Sequence, residues 1–160
     1  MFKLQILLLT FLAAIAMTSC DKACDKDNAQ SEDYLIFGHF HGFCVGEKCI
    51  ETFKLEDNEL YEDTKDQYRG LTDFNFIKLP DSKYTLAKEL VDFVPQELWA
   101  EMDGKVFGCP DCYDQGGYLI QERRNGITKS WIFDKTKKDI PSYMHAFIDK
   151  ISEAIVLINQ

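Results

Sequence analysis

From residue 34 onward, hydrophobic positions first alternate with polar ones, then adopt helical spacing, and then run through the same order again. Residues 34–43 are rich in aromatic and β-branched side chains, with glycines that suit a strand end or a bulge. Residues 49–55 and 59–63 are two further strand stretches, joined at Asp57-Asn58, both tolerant of left-handed backbone. The hairpin this predicts sets Leu55 opposite Leu60, but also Glu56 opposite Glu59, a like-charge conflict. Residues 74–79 form a fourth short strand, ended by Pro80.

Asn125-Gly126 carries the strongest local signal. A two-residue type I′ turn there pairs Arg124 with Ile127, Glu122 with Lys129, Ile120 with Trp131 and Tyr118 with Phe133. Opposite charges meet and large apolar groups share one face, so several independent residues agree on one register.

Two segments read as helical. Pro80-Asp81-Ser82 is a start signal, after which Leu86, Leu90, Phe93 and Val94 recur at helical spacing. Pro95 breaks that helix and opens a short second one carrying Leu98, Trp99 and Met102, stopped at Asp103-Gly104. The last segment starts at Asp139-Ile140-Pro141, and Met144, Phe147, Ile148, Ile151, Ile155 and Ile158 make an apolar stripe. His145, Asp149, Ser152 and Glu153 fall mostly on its other face. The expected fold is therefore α+β: an antiparallel sheet packed by a C-terminal amphipathic helix and a central helical segment, in the order ββββ-α(α)-ββ-α. No internal repeat is evident.

The N-terminus follows different rules. Met1-Phe2-Lys3 is a short positive region, and residues 4–16 are apolar apart from Gln5 and Thr10. That run is too short for a hydrocarbon core of about 30 Å, which takes about 20 residues, so an export signal is expected over a membrane span. It ends Met17-Thr18-Ser19-Cys20 and turns polar at Asp21-Lys22. This stretch resembles the lipobox of bacterial lipoproteins, with methionine where leucine is commoner. The resemblance implies cleavage before Cys20, diacylation of its sulfur, and usually N-acylation, with palmitate as a typical chain. Acyl chains contribute roughly 0.8 kcal/mol per buried CH₂, so a modified Cys20 holds a protein on a membrane without a spanning helix.

Three parts follow: a signal peptide at 1–19, a lipidated flexible tether at 20–33, and one α+β domain at 34–160. Residues 21–33 hold five acidic side chains and no large apolar group, as a solvated tether should; Cys24 within it reads as a bystander. Asp21 signals inner-membrane retention under the enteric sorting rule, whereas charged tethers favour surface export in Bacteroidota-type lipoproteins. The expected location is the cell envelope, at the outer membrane, facing the periplasm or the exterior.

Composition supports this and narrows the function. The chain has 160 residues, 46% hydrophobic and 13% aromatic, which suits one globular domain and excludes wholesale disorder. Its net charge of −9 and the lack of any clustered basic stretch argue against nucleic acid as a partner.

Six cysteines remain to be explained. Cys44 and Cys49 bracket a predicted turn of four residues, and Cys109 and Cys112 bracket Pro110-Asp111, where proline pre-sets φ for a tight turn. Export to an oxidising space makes two structural disulfides the leading expectation, with three connectivities open. A zinc site built from Cys44, Cys49, Cys109 and Cys112 is the alternative, with knuckle-like spacing in the second pair. A redox-active Cys109/Cys112 is a third reading. Against it, Tyr113-Asp114-Gln115-Gly116-Gly117 follows Cys112, and two glycines do not make the helix whose N-terminus usually activates such a thiol.

His39 and His41, two apart on a strand, share a face, as a His-x-His metal pair requires. Phe37 and Phe43 fall on that face too, so a partly buried aromatic strip with two hydrogen-bonded histidines is the plainer expectation. Local motifs for enzymes fail: no Gly-x-Ser-x-Gly, His-Glu-x-x-His, phosphate-cradling loop or EF-hand occurs. The acidic runs Glu56-Asp57-Asn58-Glu59 and residues 63–66 read as solvated turns more readily than as Ca²⁺ loops.

Two stretches resemble a group of small Bacteroidota lipoproteins of unassigned function. One is Gly42-Phe43-Cys44-Val45-Gly46-Glu47-Lys48-Cys49 with Phe53-Lys54-Leu55 and Leu60-Tyr61-Glu62-Asp63-Thr64 after it. The other runs from Phe107-Gly108-Cys109-Pro110-Asp111-Cys112 through Gln115-Gly116-Gly117-Tyr118 to Lys129-Ser130-Trp131-Ile132-Phe133-Asp134. The resemblance implies a location and supplies no catalytic residue. The expectation is a non-enzymatic, lipid-anchored binding or structural module without a cofactor, touching the membrane through Cys20 and serving a protein or small-molecule partner. The alternative is a metal-binding or thiol-redox envelope protein.

Overall fold

The computed structural model describes residues 33–44, 47–67 and 72–160. The segments expected to be signal peptide and tether, as far as residue 32, lie outside the described residues, and with them Cys20, the expected lipid-attachment residue, and Cys24. No described helix is long and apolar enough to cross a membrane.

Seven strands form one sheet: β1 (Tyr34–Phe40), β2 (Ile50–Glu56), β3 (Glu59–Asp63), β4 (Phe76–Lys78), β5 (Lys105–Phe107), β6 (Gly117–Arg124) and β7 (Ile127–Asp134). Their order is β4-β3-β2-β1-β6-β7-β5, with β1 in the middle. All neighbours are antiparallel except β5, which runs parallel to β7. The sheet is therefore mixed, and β5 is a strand that the hydrophobic pattern did not reveal. Three residues are too few to alternate, and β5 has its pairing from β7, across the intervening β6 segment.

The two hairpins fold as their turn residues dictate. Asp57 and Asn58 both have positive φ, as do Asn125 and Gly126. In the second hairpin the register is the predicted one along its whole length, Arg124 facing Ile127 and Tyr118 facing Phe133. In the first, Leu55 faces Leu60 and Glu56 faces Glu59. The like-charge conflict is relieved by neighbours: Lys54 Nζ is 2.5 Å from Glu56, while Glu59 accepts from Tyr61 at 2.5 Å and Lys78 at 2.6 Å. Those two hydrogen bonds, led by the one from Lys78, hold the Glu59 carboxyl below its usual range.

The helices cover one face of this sheet. α1 (Asp81–Ala87) and α2 (Leu90–Phe93) are followed by a 3₁₀ turn at Gln96–Ala100, and the chain ends in α3 (His145–Ile158). Every member of the stripe Met144, Phe147, Ile148, Ile151, Ile155 and Ile158 is buried. It packs with Ala87, Leu90, Val94 and Leu98 against Leu35, Phe37, Phe53, Leu55, Leu60, Ile120, Trp131 and Phe133 of the sheet. Each large side chain taken fully from water contributes roughly 1.5–3 kcal/mol. Lys83 closes the helical layer by donating to the Ile158 carbonyl at 2.6 Å, placing a cation on the C-terminal end of α3.

The central helix departs from its expected stripe. It breaks after Ala87 and restarts at Leu90, so Leu86 and Phe93 turn outward and stay exposed, and Met102 is exposed as well.

Candidate functional site

β1 connects two ends of the molecule. At its start, Tyr34 lies opposite Glu56 on one side and Arg123 on the other, beside both hairpin turns. At its finish, Phe40 lies opposite Ile50 and Gly117, where both cysteine loops emerge. At about 3.3 Å per residue the strand separates the two ends by about 20 Å.

Each cysteine pair is bonded locally, Cys44 to Cys49 and Cys109 to Cys112, with Cα separations of 5.4 and 5.6 Å. The four therefore do not gather as one thiolate cage. Among the described residues, no group of three or more His, Cys, Asp or Glu side chains is placed to hold a metal ion. The two bridges differ in setting: Cys49 is buried at 4% exposure, whereas Cys44, Cys109 and Cys112 are exposed.

The loop at 109–116 is held by a dense set of hydrogen bonds. Cys109 N–H donates to Asp134 Oδ2 at 2.9 Å, Cys112 N–H to the Cys109 carbonyl at 3.2 Å, and Gln115 Nε2 to that same carbonyl at 2.9 Å. Asp111 and Gly116 bond reciprocally: Asp111 N–H to the Gly116 carbonyl at 3.2 Å, and Gly116 N–H to Asp111 Oδ1 at 2.9 Å. Burial by itself would raise the Asp134 carboxyl, but hydrogen bonds from Thr136, Cys109 and Gln115 outweigh it and hold the group below its usual range.

The two glycines after this loop have steric roles. A Cβ on Gly116, whose φ is +74°, would come within 2.0 Å of the Phe40 carbonyl oxygen and 2.9 Å of His41 Nδ1. A Cβ on Gly117 would lie 2.5 Å from the tip of the Phe40 ring. The pair lets the 109–116 loop press against the end of β1.

His39 and His41 stand between the two loops, their ring centroids 5.5 Å apart and nearly perpendicular. His39 Nε2 donates to the Lys48 carbonyl at 3.2 Å, inside the first disulfide loop. Its Nε2 is also 3.6 Å from Glu51 Oε2, too far for a hydrogen bond; Glu51 instead accepts from Asn159 at 2.6 Å. Burial, aided by the charge of Lys135, outweighs the hydrogen bond to the Lys48 carbonyl and lowers the imidazole of His39 to about 4. His41 Nε2 accepts a hydrogen bond from Lys135 Nζ at 2.6 Å, so the hydrogen of the neutral ring sits on Nδ1. Burial, then Lys135, lowers His41, and burial likewise lowers Lys135, with Asp111 opposing both shifts.

The structure thus brings together five of the residues expected to matter, namely His39, His41, Cys44, Cys109 and Cys112, with buried Cys49 at the base. Phe43 does not join the strip: β1 ends at Phe40, and Phe43 is 87% exposed. His145 bonds to the Lys137 carbonyl at 2.9 Å. Asp134, Lys135 and Glu51 were not singled out from sequence. A signal for two of them existed: one more step of the 120s hairpin register sets Asp134 opposite Gly117, which brings Lys135 beside the loop.

The opposite end holds a cleft of about 360 Å³. Leu35, Leu55, Val91 and Tyr84 line it together with Asp33, Asp57, Lys88, Glu122, Arg123 and Arg124. Three of these charged groups have partners within the fold. Glu122 accepts from Arg124 Nη2 at 2.6 Å and from the Trp99 indole, and Asp33 accepts from Asn125 N–H at 2.7 Å. Arg124 also sits 4.9 Å above the Trp99 ring.

No family model matches the chain, and no curated protein is significantly similar to it.

Proposed function

We propose that the chain is a lipid-anchored module of the cell envelope, non-enzymatic, stapled by its two disulfides and presenting its cysteine-bearing end to a partner. The observation that carries this reading is the pairing of all four domain cysteines into local bridges, the state expected of an exported protein. The tether supports it. Residues 21–33 span at most about 45 Å when extended, and they enter the domain at Asp33, on the end opposite the disulfides. A chain held through acylated Cys20 would thus be tied at its hairpin end, leaving the disulfide end free for a partner.

Exposed aromatics mark that outer end. Phe43 precedes Cys44 and Tyr113 follows Cys112, and they are 87% and 90% exposed. Large aromatics on braced loops are the residue type that anchors protein interfaces.

Membrane partition with palmitate labelling tests the anchor. The wild-type chain is expected in the membrane fraction carrying label, and Cys20→Ser in the soluble fraction without it. A Cys20→Ser protein that still floats with membranes and carries label would end the reading.

A further inference from the structure

The two disulfides are not equivalent. In the first, Cys49 is buried at the start of β2. In the second, both cysteines are exposed, and only two residues lie between them. Asp134, Gln115 and the reciprocal Asp111–Gly116 pair brace the backbone from Cys109 to Gly116 through bonds that involve neither sulfur. A staple on a loop already braced adds little as a staple.

We propose that Cys109–Cys112 is an exchange site for dithiols, while Cys44–Cys49 is structural. This rests on the oxidised cysteines of the preceding reading but replaces its non-enzymatic, two-staple part: Cys44–Cys49 staples, and Cys109–Cys112 exchanges. Exposed disulfides are the ones open to attack. Asp111, between the two cysteines, lies within electrostatic reach of both Lys135 and His41. Lys135 is half-buried and tied to His41 at 2.6 Å, so a cation is fixed beside the loop. Its charge offsets that of the Asp111 carboxylate between the cysteines and so favours a thiolate leaving from Cys109 or Cys112, the part a helix N-terminus plays elsewhere and that the turn at 113–116 cannot play. Lys135 acts through that charge and touches no reacting atom.

The chemistry balances with the donor alone. A donor thiolate attacks one sulfur of the pair; the Cys109–Cys112 bond breaks, a mixed disulfide forms, and the electron pair leaves on the other cysteine, which takes up a proton. The donor's second thiol, deprotonated, attacks the mixed disulfide and releases the remaining cysteine, which is protonated in turn. Two electrons and two protons pass to Cys109 and Cys112, and the donor departs as its own disulfide.

The test uses the full chain in detergent, equilibrated with graded ratios of reduced to oxidised dithiothreitol, quenched in acid, alkylated and mapped by peptide. Cys109 and Cys112 are expected to be half-reduced at a ratio at least about tenfold lower than Cys44 and Cys49, with the near-UV circular dichroism unchanged. At pH 7, Lys135→Gln should slow reduction of the second pair about threefold or more without affecting the first, and Lys135→Arg should restore the rate. The Cys109→Ser/Cys112→Ser protein should keep the wild-type near-UV spectrum. Both pairs opening at one ratio, or the second opening only as the tertiary signal is lost, would overturn the proposal, as would loss of that spectrum in the double serine variant. An indifferent Lys135→Gln would remove the lysine from it. Free thiols at all four positions before any reductant is added would instead defeat the preceding reading.

Discussion

At the Tyr34 end of β1 the chain reverses twice through two-residue turns, Asp57-Asn58 and Asn125-Gly126, built from residues that accept left-handed backbone. At the far end it reverses through longer loops, each closed by a disulfide, and the second is also bonded to the Asp134 carboxylate and wedged against Phe40 through Gly116 and Gly117. The hairpin end holds its shape by local backbone preference. The disulfide end holds its shape by tertiary contact, with two half-buried histidines and a lysine enclosed in the process. Charge follows the same division. Glu122, Arg124 and Asp33 are paired around a cleft at the first end, whereas His41 and Lys135 share one hydrogen bond at the second.

A matched pair of glycine substitutions should separate the two ends most sharply. Gly116→Ala puts a methyl 2.0 Å from the Phe40 oxygen at positive φ, whereas Gly126→Ala, also at positive φ, meets nothing within 4 Å. By chemical denaturation, the first is expected to cost about 3 kcal/mol or more and the second about 1 kcal/mol. Equal losses would erase the distinction drawn between the ends.

Acid should also act on the disulfide end. The folded imidazole of His39 titrates at about 4, below its ordinary 6.5. Between those values the unfolded chain binds a proton that the folded chain refuses. This contribution is therefore fully present above pH 6.5, declines as pH falls, and is gone near pH 4. It amounts to at most about 3 kcal/mol. Denaturation midpoints from pH 7 to 4 should fall more steeply for the wild type than for His39→Gln; parallel slopes would show that burial of His39 does not couple to folding.

The Cys44→Ser/Cys49→Ser protein should lose about 2 kcal/mol, the cost of releasing a short closed loop, read from its thermal transition. At the Tyr34 end, Asp33→Ala removes one acceptor from Asn125 N–H at an exposed site, and a loss under about 1 kcal/mol is expected. A larger loss from Asp33→Ala than from the cysteine pair would reverse the ranking.

How much the sequence disclosed follows the same line between local and tertiary determinants. The 124–127 hairpin was legible because its turn residues and four cross-strand pairs agree, and α3 because its stripe is continuous. Even there, the partners of charged side chains were not. Glu122 faces Lys129 in register, yet its carboxylate binds Arg124 and Trp99, while Lys129 donates to the carbonyls of Trp99 and Glu101. Leu86 and Phe93 matched a helical period that the break after Ala87 interrupts. β5 was invisible because a three-residue parallel edge strand has no periodicity of its own. The candidate site was half legible. Its histidines and cysteines stand out by type, but four cysteines allow three pairings, and Lys135 and Glu51 are placed by register alone, Lys135 just past the end of the 124–127 hairpin and Glu51 opposite His39.

Peptide mapping of the full chain, extracted from membranes without reductant, tests the account most directly. It predicts one cross-linked peptide joining Cys44 to Cys49, another joining Cys109 to Cys112, and an N-terminal peptide that begins at an acylated Cys20. Four alkylatable thiols in the domain, or a chain that still begins at Met1, would contradict it.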